Sequence, residues 1–472
     1  MNVTKVETKE GTKSCCGKSC PEGLRAERGR VPEAPIGIRI TENNDINADR
    51  NEYGMLEEIL TPGNLNKAFK KVRKNKGAGG VDGMSVEELL QYLKDNGEKL
   101  RQTVLDGKYR PKPVRRAEIP KENGKTRKLG IPTAVDRVIQ QAIAQMLTPV
   151  YEPVFAETSY GFRPGRSAHD AVRKCREYAN EGYTWAVDMD LEKFFDMVNQ
   201  SKLTEILSRR IKDGRVISLI VKYLNAGVIV CGKWEETKLG VPQGGPLSPL
   251  LANTMLNELD HELERRGHKF VRYADDLVIL CKSKASARQT LEHIISFIEK
   301  KLFLKVNEEK TVVASIQSIK FLGYGFRFAK DGIRMRVHKK SVMKLKEKVR
   351  QLTRRSDGKG GEWKKNHIKW LVTGWVNYFK LADMKTLLTS IDEWMRVRLR
   401  TFIWKSWKKI KTKYRNLRKL GVTERNAGIM ANTRKGYRRA ADSPIVKLAI
   451  SKELLKKAGY TFFLDYYISV QA

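Results

Sequence analysis

Phe270-Val-Arg-Tyr-Ala-Asp-Asp-Leu-Val-Ile-Leu280 sets two adjacent carboxylates, Asp275 and Asp276, inside a run of strand formers. Val271 before them and Leu277, Val278, Ile279 and Leu280 after them predict a β-hairpin with the acids at its tip. Packing asks for no acid there. Two like charges on a buried hairpin are costly unless a cation neutralises them. For oxygen donors that cation is a divalent metal, Mg²⁺ first. Taken alone, the tetrapeptide reads equally well as a solvated Asp-Asp turn.

Working outward, a second acid pair lies in Ala186-Val-Asp-Met-Asp-Leu-Glu-Lys-Phe-Phe-Asp196. On a strand, Asp188 and Asp190 point to the same side, because the side-chain period is two. Either could join the hairpin acids, and spacing does not choose between them. They could also cap the helix that follows. Between the two acid segments runs Gly240-Val-Pro-Gln-Gly-Gly-Pro-Leu-Ser-Pro249, a Gly/Pro-dense loop that leads into an apolar helix over 250–263.

The charge narrows the partner. Ninety-two Lys+Arg against 54 Asp+Glu leave a net charge of +38, spread along the chain. That excess makes a polyanion the expected partner. No apolar run reaches the roughly 18–20 residues of a membrane span, so nucleic acid is favoured over an anionic membrane. No apolar core follows Met1-Asn-Val-Thr-Lys5, so no secretory signal is expected. Six cysteines, Cys15, Cys16, Cys20, Cys175, Cys231 and Cys281, are too sparse for a disulfide framework. With no cysteine after Cys281, a C-terminal zinc module built on cysteine pairs is excluded.

At ~150 residues per domain, 472 residues suggest about three domains. Residues 1–50 lack apolar periodicity and read as an extension. Helical spacing starts at Met55, Leu56, Ile59 and Leu60, and Gly77–Gly83 breaks it. Strands are predicted over 114–119 and 128–131 around a turn carrying Lys121, Lys125 and Arg127. A helix over 135–147, a strand over 185–191 and a helical stretch over 203–224 follow. Beyond the acid hairpin come a helix over 287–302 and strands over 311–315 and 321–328. After about Arg336 the pattern turns all-helical, with faces at Val342/Leu345/Val349/Leu352, Leu371/Val372/Trp375/Val376/Phe379 and Leu388/Ile391/Met395/Leu399/Phe402. From Thr401 onward, lysines and arginines interleave with Trp404, Trp407 and Tyr414. Such a surface binds nucleic acid by phosphate contacts and stacking, with Lys405, Lys408, Arg434, Lys435, Arg438 and Arg439 as candidates.

The two acid segments, the Pro-Gln-Gly loop and the charge favour a nucleic-acid polymerase, and further motifs carry a resemblance. Tyr273-Ala-Asp-Asp276 resembles the metal motif of reverse transcriptases, and Gly240–Leu250 their template- and nucleotide-contacting loop. Ser159-Tyr-Gly-Phe-Arg-Pro-Gly-Arg-Ser-Ala-His-Asp170, Phe321-Leu-Gly-Tyr-Gly-Phe326 and the Gly-Trp-Val-Asn-Tyr-Phe core of 370–379 resemble group II intron-encoded reverse transcriptases, or maturases. Ala431-Asn-Thr-Arg-Lys-Gly-Tyr437 resembles a signature of their compact bacterial class C branch. The resemblance spans about 53–472.

It implies an α+β chain with a right-hand polymerase fold: an antiparallel sheet in fingers and palm, a helical thumb and a small basic C-terminal domain. The expected divisions are 1–50 (extension), 51–180 (fingers), 181–335 (palm), 336–404 (thumb or maturase domain) and 405–472 (DNA-binding domain). The implied activity is RNA-directed DNA synthesis that copies intron RNA during retrohoming, beside assistance to splicing. The alternative is a domesticated or defence-associated reverse transcriptase not tied to an intron. Implied catalytic carboxylates are Asp190, Asp275 and Asp276, with the Leu191 carbonyl as a further ligand to two Mg²⁺ ions, for which Mn²⁺ substitutes. The resemblance selects Asp190 over Asp188 because the family's aspartate precedes the sugar-facing aromatic, here Phe195, by five positions. Lys121 and Arg127 would bind the triphosphate, Phe195 would exclude a 2′-hydroxyl, and Gln243 would lie by the templating base pair. Lys310 would assist pyrophosphate departure or form a surface ion pair. Implied partners are intron RNA, target DNA, primer and dNTPs in a bacterial cytoplasmic, nucleoid-associated ribonucleoprotein, with no membrane and no endonuclease domain. The oligomeric state is left open.

Overall fold

Three sheets organise the chain in the computed structural model, which describes residues 54–120, 124 and 126–471. The first sheet is formed by β1 (Val114–Pro120), β2 (Thr126–Ile131), and two short strands that the sequence reading did not separate. The second carries β3 (Trp185–Met189). The short strands are β4 (Val228–Val230) and β5 (Lys233–Glu235), and the first sheet's order is β2-β1-β4-β5. The acid hairpin is β6 (Lys269–Tyr273) and β7 (Asp276–Cys281), and with β8 (Val312–Ser315) it completes the second sheet in the order β6-β7-β3-β8. Every pairing in that second sheet is antiparallel. A separate hairpin pairs β9 (Tyr324–Ala329) with β10 (Gly332–Val337).

The second sheet is sandwiched, and its alternation shows why. Val187, Met189, Leu277 and Ile279 face one apolar cluster with the N-terminal helices and the helix Ser248–Arg265. Ala186, Val271, Val278 and Leu280 face another. That second cluster takes in the helix Ala168–Asn180, the β9–β10 hairpin and all the helices from Lys339 onward that bury a side chain in it. A strand with both faces buried has no room for charge in its middle, so the acids come at its end.

The helical half contains Lys339–Leu352, Gly361–Phe379 and Lys385–Ser406, matching the three apolar faces. Six shorter helices follow, ending in Phe463–Gln471. That last helix is capped from a distance. Both carboxylate oxygens of the buried Asp392, on Lys385–Ser406, accept from backbone N–H groups, those of Phe463 and Leu464, each at 2.9 Å. Replacing Asp392 with Ala leaves these donors unmatched and is expected to cost about 2–3 kcal/mol. Hydrogen exchange of 463–471 checks this, and should speed up there before the rest of the chain. Burial, against the pull of the two N–H groups, pushes the Asp392 carboxyl up to about 6. Its folded proton affinity exceeds the unfolded one, so its contribution to stability falls as pH rises from the ordinary 3.8 through about 6.

Several expectations need correction. The helical stretch predicted over 203–224 divides into two helices, Gln200–Ser208 and Gly214–Leu224. Asp213 ends the first by capping the second, accepting from Arg215 N at 3.0 Å, and its other oxygen accepts from Leu56 N. The strand predicted over 185–191 stops at Met189. The strand predicted over 321–328 starts only at Tyr324, after a turn with positive φ at Leu322 and Gly323. β10 was missed, although Ile333, Met335 and Val337 alternate with Arg334 and Arg336 and are buried. No helix among the described residues is long and apolar enough to cross a membrane. Cys175, Cys231 and Cys281 are free thiols.

Candidate active site

β3 and β7 pair with Met189 opposite Leu277. One further step in that register sets Asp190 opposite Asp276, at the edge of the sheet. The hairpin turns through Ala274 and Asp275, with Tyr273 paired to Asp276. Ala274 has φ +59°, a conformation that normally favours glycine. The turn is held from inside. Arg272, 1 % exposed, donates Nη1–H to the Ala274 carbonyl at 3.0 Å and to Asn253 Oδ1 at 2.9 Å. Its Nε and Nη2 clasp Asp260, also fully buried. Gly161 backs the turn from the other side. A Cβ there would lie 2.2 Å from Ala274 N, so only glycine lets the two backbones meet.

The segment 159–170 therefore has a mechanical reading. Its Gly161 carbonyl accepts from Asn253 Nδ2 at 2.8 Å. Arg163 ties the segment to the Ala156 and Ser159 carbonyls and to Glu152. Ser167 and Asp170 close a capping box on the helix Ala168–Asn180. His169 Nε2 lies 2.7 Å from the Tyr378 carbonyl on the helix Gly361–Phe379.

The acids crowd one another. Burial and then the neighbouring charges of Asp275 and Asp190 push Asp276 up to about 6, although it keeps an open side toward solvent. Asp188 is likewise pushed up to about 6, by burial and then by Asp276 and Asp190. Lys320 draws both down. Asp190 is held by Lys310, Nζ to Oδ2 at 2.7 Å, and its carbonyl accepts from Asn307 N at 2.8 Å. Leu191 bridges Val306 on the same segment. Among the described residues no three His, Cys, Asp or Glu side chains form a ready ion-binding group. The donor chemistry nevertheless suits a hard divalent cation: an all-oxygen set whose mutual repulsion a cation would relieve.

Next to the acids, a pocket of about 440 Å³ brings Arg127, Phe195 and Gln243 together. Arg127 Nε donates to Gln243 Oε1 at 3.0 Å, and Gly130 N to the Gln243 carbonyl at 2.7 Å. Phe195 is 8 % exposed, edge-on to the more deeply buried Phe194. Its carbonyl accepts from Val241 N at 2.7 Å. Gly240 has φ +90°, and a Cβ there would lie 2.8 Å from the Phe195 carbonyl oxygen, so the loop must turn on glycine. Lys121 lies outside the described residues. Phe162, Arg137 and Gln141 also line the pocket, and sequence reading had not singled them out. Phe162 has positive φ and is 55 % exposed. Its place within the 159–170 segment was the available signal.

The basic candidates lie elsewhere. Lys408, Arg434, Lys435, Arg438 and Arg439 are exposed, and Lys405 Nζ donates to Ser356 Oγ at 3.1 Å. Trp404 is buried core. On the helix Gly361–Phe379, Trp363 stacks on His367, which meets Trp370 at a tilt, and Trp370 is 64 % exposed.

Paired carboxylates on adjacent antiparallel strands, beside an aromatic-walled pocket, define a polymerase-type palm. Comparison with known proteins agrees. Residues 119–326 match the reverse transcriptase (RNA-dependent DNA polymerase) family, and 342–421 match the group II intron maturase-specific domain. The chain is 33 % identical over 368 residues to the group II intron-encoded protein LtrA of Lactococcus lactis subsp. cremoris, covering 64 % of this chain and 61 % of LtrA. It is 35 % identical over 311 residues to protein YkfC of Escherichia coli K12, covering 57 % of this chain and 82 % of YkfC. A chain of a partial Cas6-RT-Cas1–Cas2 complex is 26 % identical over 52 % of this chain and 43 % of its own, at a TM-score of 0.35, too loose a likeness to argue from. The chain belongs to the reverse transcriptases that carry a group II intron maturase domain, with the right-hand polymerase fold of that family.

Proposed function

We propose that the protein is an RNA-directed DNA polymerase encoded by a group II intron, and that it binds the intron RNA and assists its splicing. The carrying observation is the register that sets Asp190 against Asp276, beside the pocket walled by Phe195, Gln243 and Arg127. The chain spans about three fifths of the length of LtrA, so the activity is inferred from this chain's own residues. In this reading 51–180 form the fingers, 181–335 the palm, 336–404 the thumb and 405–472 a basic DNA-binding region. The partners are intron RNA, target DNA, primer and dNTPs in a cytoplasmic, nucleoid-associated ribonucleoprotein.

Asp190, Asp275, Asp276 and the Leu191 carbonyl would hold two Mg²⁺ ions, or Mn²⁺. When bound, such ions lower the pKa of a primer 3′-hydroxyl and stabilise charge on the transferring phosphoryl group and leaving pyrophosphate. The protein's own share is positioning. Arg127, with Lys121, binds the triphosphate. Gln243, steadied by Arg127, meets the templating base pair. Lys310, bound to Asp190 in the free protein, is near enough to follow the departing pyrophosphate.

Primer extension on an RNA template with dNTPs and Mg²⁺ tests the proposal; no extension by folded protein would overturn it. Phe195 gives a sharper expectation. Its ring closes the pocket where a sugar would lie, so Phe195→Ala should raise ribonucleotide incorporation relative to deoxyribonucleotide by one to two orders of magnitude, about 1–3 kcal/mol of lost discrimination. Steady-state incorporation of each nucleotide measures it. Unchanged selectivity would place the steric gate on another residue.

A further inference from the structure

We propose that a cleft between the thumb and the C-terminal helices is a built phosphodiester site, taking the sugar-phosphate backbone of a bound nucleic-acid strand. The choice of nucleic acid rests on the function proposed above; the anion site itself rests on geometry.

The cleft has a volume of about 550 Å³ and is walled by the segment after the helix Lys339–Leu352, by Lys385–Ser406 and by Tyr437–Ala441. Arg354, Arg355, Arg398 and Arg438 line it. The two acids on its wall are already matched, Asp357 by Lys364 at 2.7 Å and Asp442 by Lys447 at 2.8 Å. Among the described residues no carboxylate pairs with any of the four arginines. Glu347, itself paired to Arg350, offsets the charge on Arg398 only in part, and an anion in the cleft would relieve the remaining repulsion.

Two of the guanidinium groups, those of Arg398 and Arg355, are held in place. Arg398 donates Nε–H to Thr353 Oγ1 at 2.6 Å and Nη2–H to the Arg350 carbonyl at 3.1 Å, and lies 5.3 Å from the Trp394 ring centroid. Among the described residues its Nη1 has no hydrogen-bond partner. Burial, then the charges of Arg350 and Arg438, depress its proton affinity, which shows how closely the cations approach. Arg355 lies 5.1 Å over the Tyr437 ring. The segment carrying Arg354 and Arg355 is clamped by Lys364, whose residue is 0 % exposed. Its ammonium donates to the Leu352 and Arg354 carbonyls and to both Asp357 oxygens. A buried lysine spent on shaping this segment presets the two arginines above it. Forked guanidinium donors in a fixed frame suit a phosphate. Exposed Arg434, Lys435 and Arg439 nearby in sequence offer a strand a way onward.

The test uses the full chain with Arg354→Gln/Arg438→Gln, two exposed side chains whose loss leaves the Arg398 anchors and the Lys364 clamp intact. Affinity for short single-stranded RNA and DNA is measured against salt concentration. The slope of log K on log[salt] should fall by about 1.4 in both arms, roughly 0.7 for each lost phosphate contact. Arg288→Gln/Lys300→Gln, on the helix Lys284–Lys301, removes the same charge elsewhere and should leave the slope unchanged. An unchanged slope in the cleft variant, or an equal fall in the control, overturns the proposal. So does a wild-type rise in Tm with inorganic phosphate that the cleft variant loses while its nucleic-acid slope is unchanged, since the occupant would then be a free anion. Primer extension by the wild type is run alongside, so failure of the polymerase reading is seen separately.

Discussion

Asp276→Asn should abolish primer extension, by on the order of 10³-fold or more, without lowering the melting temperature. The first half follows from the charge at the end of β3 and β7. Asp276 would help hold the cations that orient the substrate and stabilise charge on the transferring phosphoryl group, and such preorganised electrostatic contributions are large. The second half follows from the crowding of the acids. Asp276 is disfavoured as an anion by burial and by Asp275 and Asp190, so a neutral amide of the same shape removes repulsion. A site built for function at some expense to the fold should show this opposition. Extension assays beside thermal unfolding in chelator measure both. An active variant would remove Asp276 from the catalytic set, and a strongly destabilised one would mean that the carboxylate holds the fold together. Intron RNA binding should survive, because the basic surfaces lie on other elements.

Asp260→Ala or Arg272→Ala should each destabilise the protein by about 3–5 kcal/mol, because each leaves an uncompensated buried charge. The pair is nearly inaccessible, at 0 % and 1 % side-chain exposure. Its loss reaches the chemistry as well. Arg272 is the donor to the Ala274 carbonyl, and Ala274 carries the positive φ that aims Asp275 and Asp276. Without that bond the turn has less to hold it in a conformation alanine adopts at a cost of about 1–2 kcal/mol. The double replacement Asp260→Leu/Arg272→Met should recover much of the stability, since an apolar pair leaves no stranded charge. It should not recover polymerase activity, because the Ala274 carbonyl still lacks its donor. Denaturant unfolding of the singles and the double gives the coupling energy. Additive losses would show that the two side chains do not act as a pair.

The acid hairpin and the three long helices from Lys339 onward were legible because each is a local pattern: strand formers around an acid pair, or apolar residues at helical spacing. Three of the residues that the resemblance singled out, Arg127, Phe195 and Gln243, do meet in one cavity. What escaped had other causes. The helical stretch predicted over 203–224 divides because Asp213 acts as a cap, which competes with an otherwise continuous apolar pattern. β4 and β5 are three residues each, too short for a period to register. Asp188 differs from Asp190 only in being one pleat deeper between two packed layers, which spacing of two cannot distinguish. Phe162 reaches the pocket only because the 159–170 segment folds under the acid turn.

By itself, the order of residues pointed to the class of chemistry: two acid segments and a Pro-Gln-Gly loop, in a chain whose net charge of +38 favours a polyanionic partner. It determined the helices and the hairpin too, since these follow from side-chain period and turn residues within a few positions. Only the tertiary structure decided that Asp190 faces Asp276, that Lys310 holds Asp190, and that Asp260, twelve residues from Arg272, steadies the acid-bearing turn through it. It alone gathered four arginines, two from a loop and one from each of two helices, into one cleft. The physical reason is common to all of these. Charge and hydrogen bonding act over a few ångströms of space, and which residues share that space is settled by packing, not by their distance along the chain.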